Sequence, residues 1–297
     1  MPDFSGIPFT TAVRYVRPAI WAIAVSGGIF IGLSYLEAKK QLKSKSPQPW
    51  LQSSPEWSTR KPAPPSLTEL ATKWGQDLDP ISRLTVGIIA ANSVVHLASF
   101  VVPRYWDALW HQPTRNRNYT LLTSVFVHGG LTHLGVNMFG THSFLGPVGH
   151  SPLFEGSAYH ALSFFLSVGI LSSFAQHWST LIAPRKRPLP AVFIRCGGAS
   201  GALFGLLGVF CWQYPTAQLG ILFLPFRIDA QQFLPFLMVF DFVGMTRGYA
   251  FANLGHAAHL SGACLGLAYS QFDGKNRIWN PLVRFWKRQL QSGLKSE

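Results

Sequence analysis

The chain has 297 residues, of which 48% are hydrophobic and 12% charged, about half the charged fraction of an ordinary soluble domain. That balance excludes a soluble globular enzyme and calls for several membrane spans joined by polar connectors. The net charge of +13 would suit nucleic acid, but the basic residues lie in loops and tails between apolar runs, where they serve topology and contact with the lipid bilayer; no nucleic-acid partner is expected.

A helix that crosses the hydrocarbon needs about 20 mostly apolar residues. The first candidate runs from about Val16 to Leu36, too long and too weakly cleavable for a secretory signal, and it dominates an N-terminal segment of residues 1–37. A polar, flexible linker follows over residues 38–80: EAKKQLKSKS is basic, and PAPPS is proline-rich and extended. Six more candidate spans come in close order, at about Ile81–Val102, Leu121–Leu145, Gly156–Trp178, Ala199–Tyr214, Gln231–Met245 and Ala252–Phe272. The fourth and fifth of these are short and interrupted by glycine or proline, which hydrocarbon tolerates only where other helices surround them. The expected fold is all-α and polytopic: a six-helix core over residues 81–272 with one extra N-terminal transmembrane helix. The tail, residues 273–297, is basic and amphipathic and suits the membrane surface. No internal repeat signals a transporter with inverted halves. The three cysteines, Cys196, Cys211 and Cys264, are scattered and imply no disulfide framework.

Polar residues inside such spans are costly and mark functional sites. Ser200, in GGASG, opens the short fourth core helix; Gly198 and Gly201 beside it would let a substrate backbone approach its hydroxyl. A serine hydroxyl is a weak nucleophile without a base. In GHAAHLSGACLG, residues 255–266, Gly255, Gly262 and Gly266 share one helical face with His259. Small residues at that spacing let helices approach closely, and the matching stripe is Gly201, Gly205 and Gly208. Packing the two stripes together carries His259 toward Ser200, where an imidazole can take the serine proton and return it to the leaving amine. His256, one turn earlier, is the other candidate base, and the glycine stripe favours His259. In HGGLTHLGVNMF, His133 and Asn137 lie four apart on one face; both can donate hydrogen bonds to developing negative charge, as an oxyanion hole requires. A metal site competes for the histidines, but no HExxH occurs, no carboxylate accompanies the cluster, and asparagine is a poor transition-metal ligand. No metal and no cofactor is expected. A nucleophile, a base and oxyanion donors in one apolar bundle fit peptide hydrolysis within the membrane.

GASG, GHAAHLSGACLG and HGGLTHLGVN, in their order and spacing, resemble the rhomboid intramembrane serine proteases over residues 81–272. The resemblance implies Ser200 as nucleophile and His259 as base of a Ser-His dyad, His133 and Asn137 as oxyanion stabilisers with the Ser200 amide, His128 as a structural histidine near a water-filled cavity, and Phe204 as a ring stacked on the catalytic histidine. The extra first span, FDFVGM and HAAHLSG resemble the mitochondrial, presenilin-associated rhomboid-like branch. That branch implies residence in the mitochondrial inner membrane and single-span membrane proteins as substrates, dynamin-like GTPases among them. MPDFSGIPFTTAVRYVR departs from a transit peptide through its early acid, Asp3, so the mitochondrial address rests on the branch resemblance.

No aspartate is placed to orient His259; Asp241, inside the fifth core helix, is expected to hydrogen-bond the bundle or sit near a helix end. That helix, QQFLPFLMVFDF, is proline-interrupted and phenylalanine-rich and is expected to move aside to admit substrate. Arg104, Arg115, Arg117, Arg185, Lys186, Arg187 and Arg195 lie in loops at the serine end of the core, with Arg14 and Arg17 on the same side by span counting; the positive-inside rule leans that side toward the matrix, against a linker and tail that are basic too. Two rivals remain at this level: a catalytically inactive rhomboid relative that binds membrane clients, and a transporter with histidines along a proton path.

Overall fold

The computed structural model describes residues 12–45, 66, 77–183, 190–220, 226–248 and 255–293. Asp3, linker residues 46–65 and 67–76, loop residues Arg185, Lys186 and Arg187, and the start of the last predicted span at 252–254 lie outside that set.

The first helix, α1 (Val16–Lys45), is 30 residues long, about 45 Å at 1.5 Å per residue. It continues past Glu37 into residues read from sequence as linker. The core begins with α2 (Pro80–Val101). Asp79 caps it by accepting from the amides of Ile81 and Ser82 at 2.9 and 3.2 Å, and Pro80 fills the first turn, where no amide hydrogen is needed. Two short helices follow, α3 (Pro103–Asp107) and α4 (Thr120–Thr123). Next come α5 (Leu131–Gly149), α6 (Ala158–Trp178), α7 (Ser200–Gln213), α8 (Ala230–Arg247), α9 (His256–Gln271) and α10 (Asn280–Gly293). A two-stranded antiparallel hairpin, β1 (Gln218–Gly220) with β2 (Arg227–Asp229), pairs Leu219 with Ile228 ahead of α8.

Among the described residues, Val16–Ser44, Pro80–Val101 and Ala158–Leu181 are long and apolar enough to cross a membrane. At 14 residues α7 is about 21 Å long, too short to cross the hydrocarbon unaided. It is apolar all round, and Leu203, Leu206, Val209 and Cys211 are all buried, as expected of a helix ringed by others. The second core span needs correction. Its helix begins at Leu131, not near Leu121, because Gly129 and Gly130 interrupt the run and Gly130 is extended at the N-cap; residues 120–126 form α4 and a 3₁₀ turn instead.

The chain is an all-α polytopic membrane protein apart from that hairpin. The extra helix α1 runs antiparallel along α6. Ala22, Leu121 and Ile170 share one apolar cluster; Tyr15 and Thr180 hydroxyls meet at 2.9 Å at one end, and Ser157 donates to buried Glu37 at 2.9 Å at the other. The amphipathic tail does not lie free. Trp279 and Val283 pack with Ala38, Leu33 and Phe30, and Trp286 donates its indole hydrogen to the Ile31 carbonyl at 3.1 Å.

Candidate active site

The geometry of the site starts from α7 against α9. A Cβ on Gly262 or Gly266 would fall onto the carbonyl oxygens of Gly201 or Gly205, and one on Gly208 would lie 2.6 Å from the Ala263 carbonyl oxygen. Within lipid, helix association gains little from apolar burial and depends on such close packing. The two backbones therefore fix the first turn of α7 against the first turn of α9. Ser200 and His259 occupy those turns, and Ser200 Oγ lies 2.8 Å from His259 Nε2. The Phe204 ring stacks on the His259 imidazole at 4.3 Å between centroids and 5° between planes, which fixes the ring plane.

The start of α7 is held from below and behind. His128, fully buried, accepts from the Ala199 amide at Nε2, 3.3 Å away. Gly198 donates its amide to the Ser124 carbonyl at 2.9 Å. At φ +129° Gly198 adopts a backbone that other residues rarely reach, and a Cβ there would meet His133 Nε2 at 2.8 Å. His133 thus faces the turn that carries Ser200. Asn137, one turn further along α5, donates to the His133 carbonyl at 2.8 Å, which leaves its second amide hydrogen available. His133, Asn137, Gly198, Ser200, Phe204 and His259 line one cavity of about 790 Å³.

Three features escaped the sequence reading. The segment before Ser200 is strapped down by paired backbone bonds between His111 and Cys196, at 3.1 and 2.7 Å, and Arg195 binds Asp107 at 2.8 Å while stacking over Trp110. The Gln176 side chain of α6 accepts from the amides of Ala257 and Ala258 at 3.1 and 3.2 Å, capping α9 from another helix because Gly255 has no side chain to do so. The third bears out the expectation that Asp241 hydrogen-bonds the bundle and corrects the one that no aspartate lies beside His259. Asp241 is buried beside His259: its Oδ1 lies 3.3 Å from His259 Nδ1 and 2.7 Å from His256 Nδ1. His256 and His259 therefore both meet Asp241 through Nδ1, and the Nε2 of His259 faces Ser200.

The fold and these contacts can be compared with known proteins. Residues 115–276 match the rhomboid domain. The chain belongs to the rhomboid family. Among its relatives, the mouse presenilin-associated rhomboid-like protein, mitochondrial, is 29% identical over 94% of this chain and 73% of its own length. The human protein of that name is 28% identical over the same shares, and Rhomboid protein 1, mitochondrial, of Saccharomyces cerevisiae is 27% identical over 65% of this chain and 54% of its own. This rhomboid is of the mitochondrial presenilin-associated branch and is an integral mitochondrial membrane protein.

Proposed function

We propose that this rhomboid is an intramembrane serine endopeptidase of the mitochondrial inner membrane that cleaves single-span membrane proteins in or near their transmembrane segments. The observation that carries this reading is the 2.8 Å contact between Ser200 Oγ and His259 Nε2, under a stacked Phe204, at the wall of a cavity within an apolar bundle. His259 takes the Ser200 proton as the oxygen attacks the scissile carbonyl, then returns it to the leaving amine. The oxyanion is met by His133 and Asn137 with the Ser200 amide, and losing one such donor typically costs about 2.7–4 kcal/mol of barrier. Gly198 keeps that space open, and His128 supports the turn beneath it. A shielded cavity strengthens each of these polar contacts.

The test is a single-span reporter reconstituted with wild type, Ser200→Ala and His259→Ala. Each substitution is expected to lower cleavage at least about 1,000-fold. Equal processing by all three, or none by any of them, would favour an inactive relative that binds clients.

A further inference from the structure

We propose that His111 is a positioning residue for Ser200: its buried ring, bonded at both nitrogens, fixes the backbone rung from which the serine turn hangs. This rests on the reading of Ser200 as nucleophile and adds a residue to the apparatus that sets it.

The serine turn needs an outside anchor. Gly197 and Gly198 come just before Ala199 and Ser200, and a glycine pair has too much backbone freedom to hold a turn in place alone. Upstream of the pair stands Cys196, which exchanges both backbone bonds with His111, at 3.1 and 2.7 Å. This bridge is isolated and belongs to no sheet. His111 is in no helix either. Between α3, which ends at Asp107, and α4, which begins at Thr120, the regular structure is one 3₁₀ turn, Pro113–Arg115. The rung is therefore as well placed as the His111 side chain. Its neighbour Trp110 adds a floor: a Cβ on Gly197 would lie 2.9 Å from the Trp110 ring, and Arg195 stacks over that ring.

The His111 ring is tied at both ends of a buried chain. Its Nδ1 lies 2.8 Å from Thr120 Oγ1, and its Nε2 lies 2.9 Å from Nδ1 of His177 on α6; all three residues are buried. His177 Nε2 lies 2.9 Å from the Arg14 carbonyl. A carbonyl only accepts, so the His177 hydrogen sits on Nε2. Its Nδ1 then receives from His111 Nε2–H, and His111 Nδ1 receives from the Thr120 hydroxyl, which also serves the Arg117 carbonyl. Burial pushes the His111 imidazole down to about 3, so the ring is neutral and carries the single hydrogen this order needs. With both nitrogens committed, the ring has one orientation, and so has the backbone it carries. The Tyr15 ring meets His177 edge-on at 5.1 Å and closes the chain off. The part α1 plays is one backbone carbonyl at its entry; Glu37, about 30 Å further along the helix, stands apart from it.

The experiment compares wild type, His111→Ala, His111→Gln, Thr120→Val and the double variant His111→Ala/Thr120→Val, all full length and reconstituted in liposomes. It reads reporter kinetics, the rate at which a fluorophosphonate labels Ser200, and thermal melting. A nucleophile misplaced by about 1 Å can lose about 100-fold in rate. His111→Ala should lower both kcat and the labelling rate by about 30-fold, with KM within about twofold. His111→Gln, whose amide can still donate to His177, should recover most of that loss. Thr120→Val should lower kcat about fivefold and add nothing once the His111 ring is gone. A His111→Ala protein that melts lower but keeps kcat and labelling within about threefold of wild type would show a ring that supports the fold alone, and would overturn the proposal. A glutamine variant no better than alanine, or a double variant about tenfold slower than His111→Ala, would overturn it too. If His111→Ala does not fold, Thr120→Val carries the test: the fivefold fall at constant KM supports the proposal, and an unchanged kcat overturns it. Wild type that the fluorophosphonate does not label at Ser200 would instead defeat the reading of Ser200 as nucleophile.

Discussion

The α7–α9 seam and the α8–α9 contact both meet at His259, but they are made of different materials. The seam is backbone against backbone. Where Gly262 and Gly266 meet Gly201 and Gly205, and Gly208 meets Ala263, no side chain separates the two backbones, so their distance leaves no room for adjustment. The α8 contact is made by side chains: one carboxylate, two imidazoles and a glycine socket, with aromatic residues facing outward on either side. In the proposed reading, Ser200 as nucleophile and His259 as base are set by the rigid joint. Asp241, which bonds both imidazoles, sits on the joint made of side chains. Under the proposed function, a helical substrate entering from the bilayer would gain from that division, because widening at α8 would leave Ser200 beside His259.

The sharpest way to break the comparison is to put a side chain into the seam. Gly262→Val drives methyl groups onto the Gly201 carbonyl, and neither backbone can yield without moving its helix. The expected destabilisation is about 3 kcal/mol or more, seen as loss of a folded, monodisperse protein in detergent. Phe242→Ala on the exposed face of α8 should leave the melting temperature nearly unchanged. Equal melting of both variants would remove the claim that the seam is the rigid joint.

A smaller change sharpens the other side. A disulfide engineered between α8 and α9, with Cys196, Cys211 and Cys264 replaced, fixes the socket closed without touching Ser200. Cleavage of a membrane-embedded reporter should then be lost, while fluorophosphonate labelling of Ser200 stays within about threefold of the uncrosslinked protein, since a small probe does not need helix displacement. Full cleavage of the reporter would show that α8 need not move. Reduction of the bond should restore turnover, which separates blocked entry from damage to the site.

The sequence was informative where chemistry and periodicity coincide on one helix. The glycine stripes are visible because a glycine inside an apolar helix is costly without a packing reason, and two matching stripes name each other as partners. His133 and Asn137 are visible because residues four apart share a face. Asp241 was read as hydrogen-bonding the bundle, as it does, but its partners His256 and His259 were missed because they come from a different helix. The α5 start was misplaced for a local reason: a window average of hydropathy passes over Gly129 and Gly130. Gln176 was invisible because its task, capping α9 from α6, leaves no mark in the spacing of either segment. A single side-chain contact between two helices leaves no period in either sequence.

The same contrast of rigid and adjustable joints extends to the extra helix, where the smallest effect is expected. Glu37 is buried between α1 and the start of α6, accepting from Gln41 at 2.6 Å and from Ser157 at 2.9 Å. Ser157 in turn caps α6 by accepting from the His160 amide at 3.2 Å, so one hydroxyl both starts a core helix and docks the peripheral one. Replacing Glu37 by alanine leaves Ser157 able to cap but without its acceptor, and removes the polar tie of α1 at that level. The apolar tie through Ala22, Leu121 and Ile170 remains, as do Tyr15 and Thr180 at the other end. Loss of a hydrogen bond to a charged group costs about 1.5–3 kcal/mol, so Glu37→Ala should lower thermal stability by that amount. The labelling rate of Ser200 should not change, because neither the glycine seam nor the α8 socket involves α1. If labelling falls in step with stability, α1 is part of the apparatus that sets the site, and the division between a fixed core and an attached helix fails at this point.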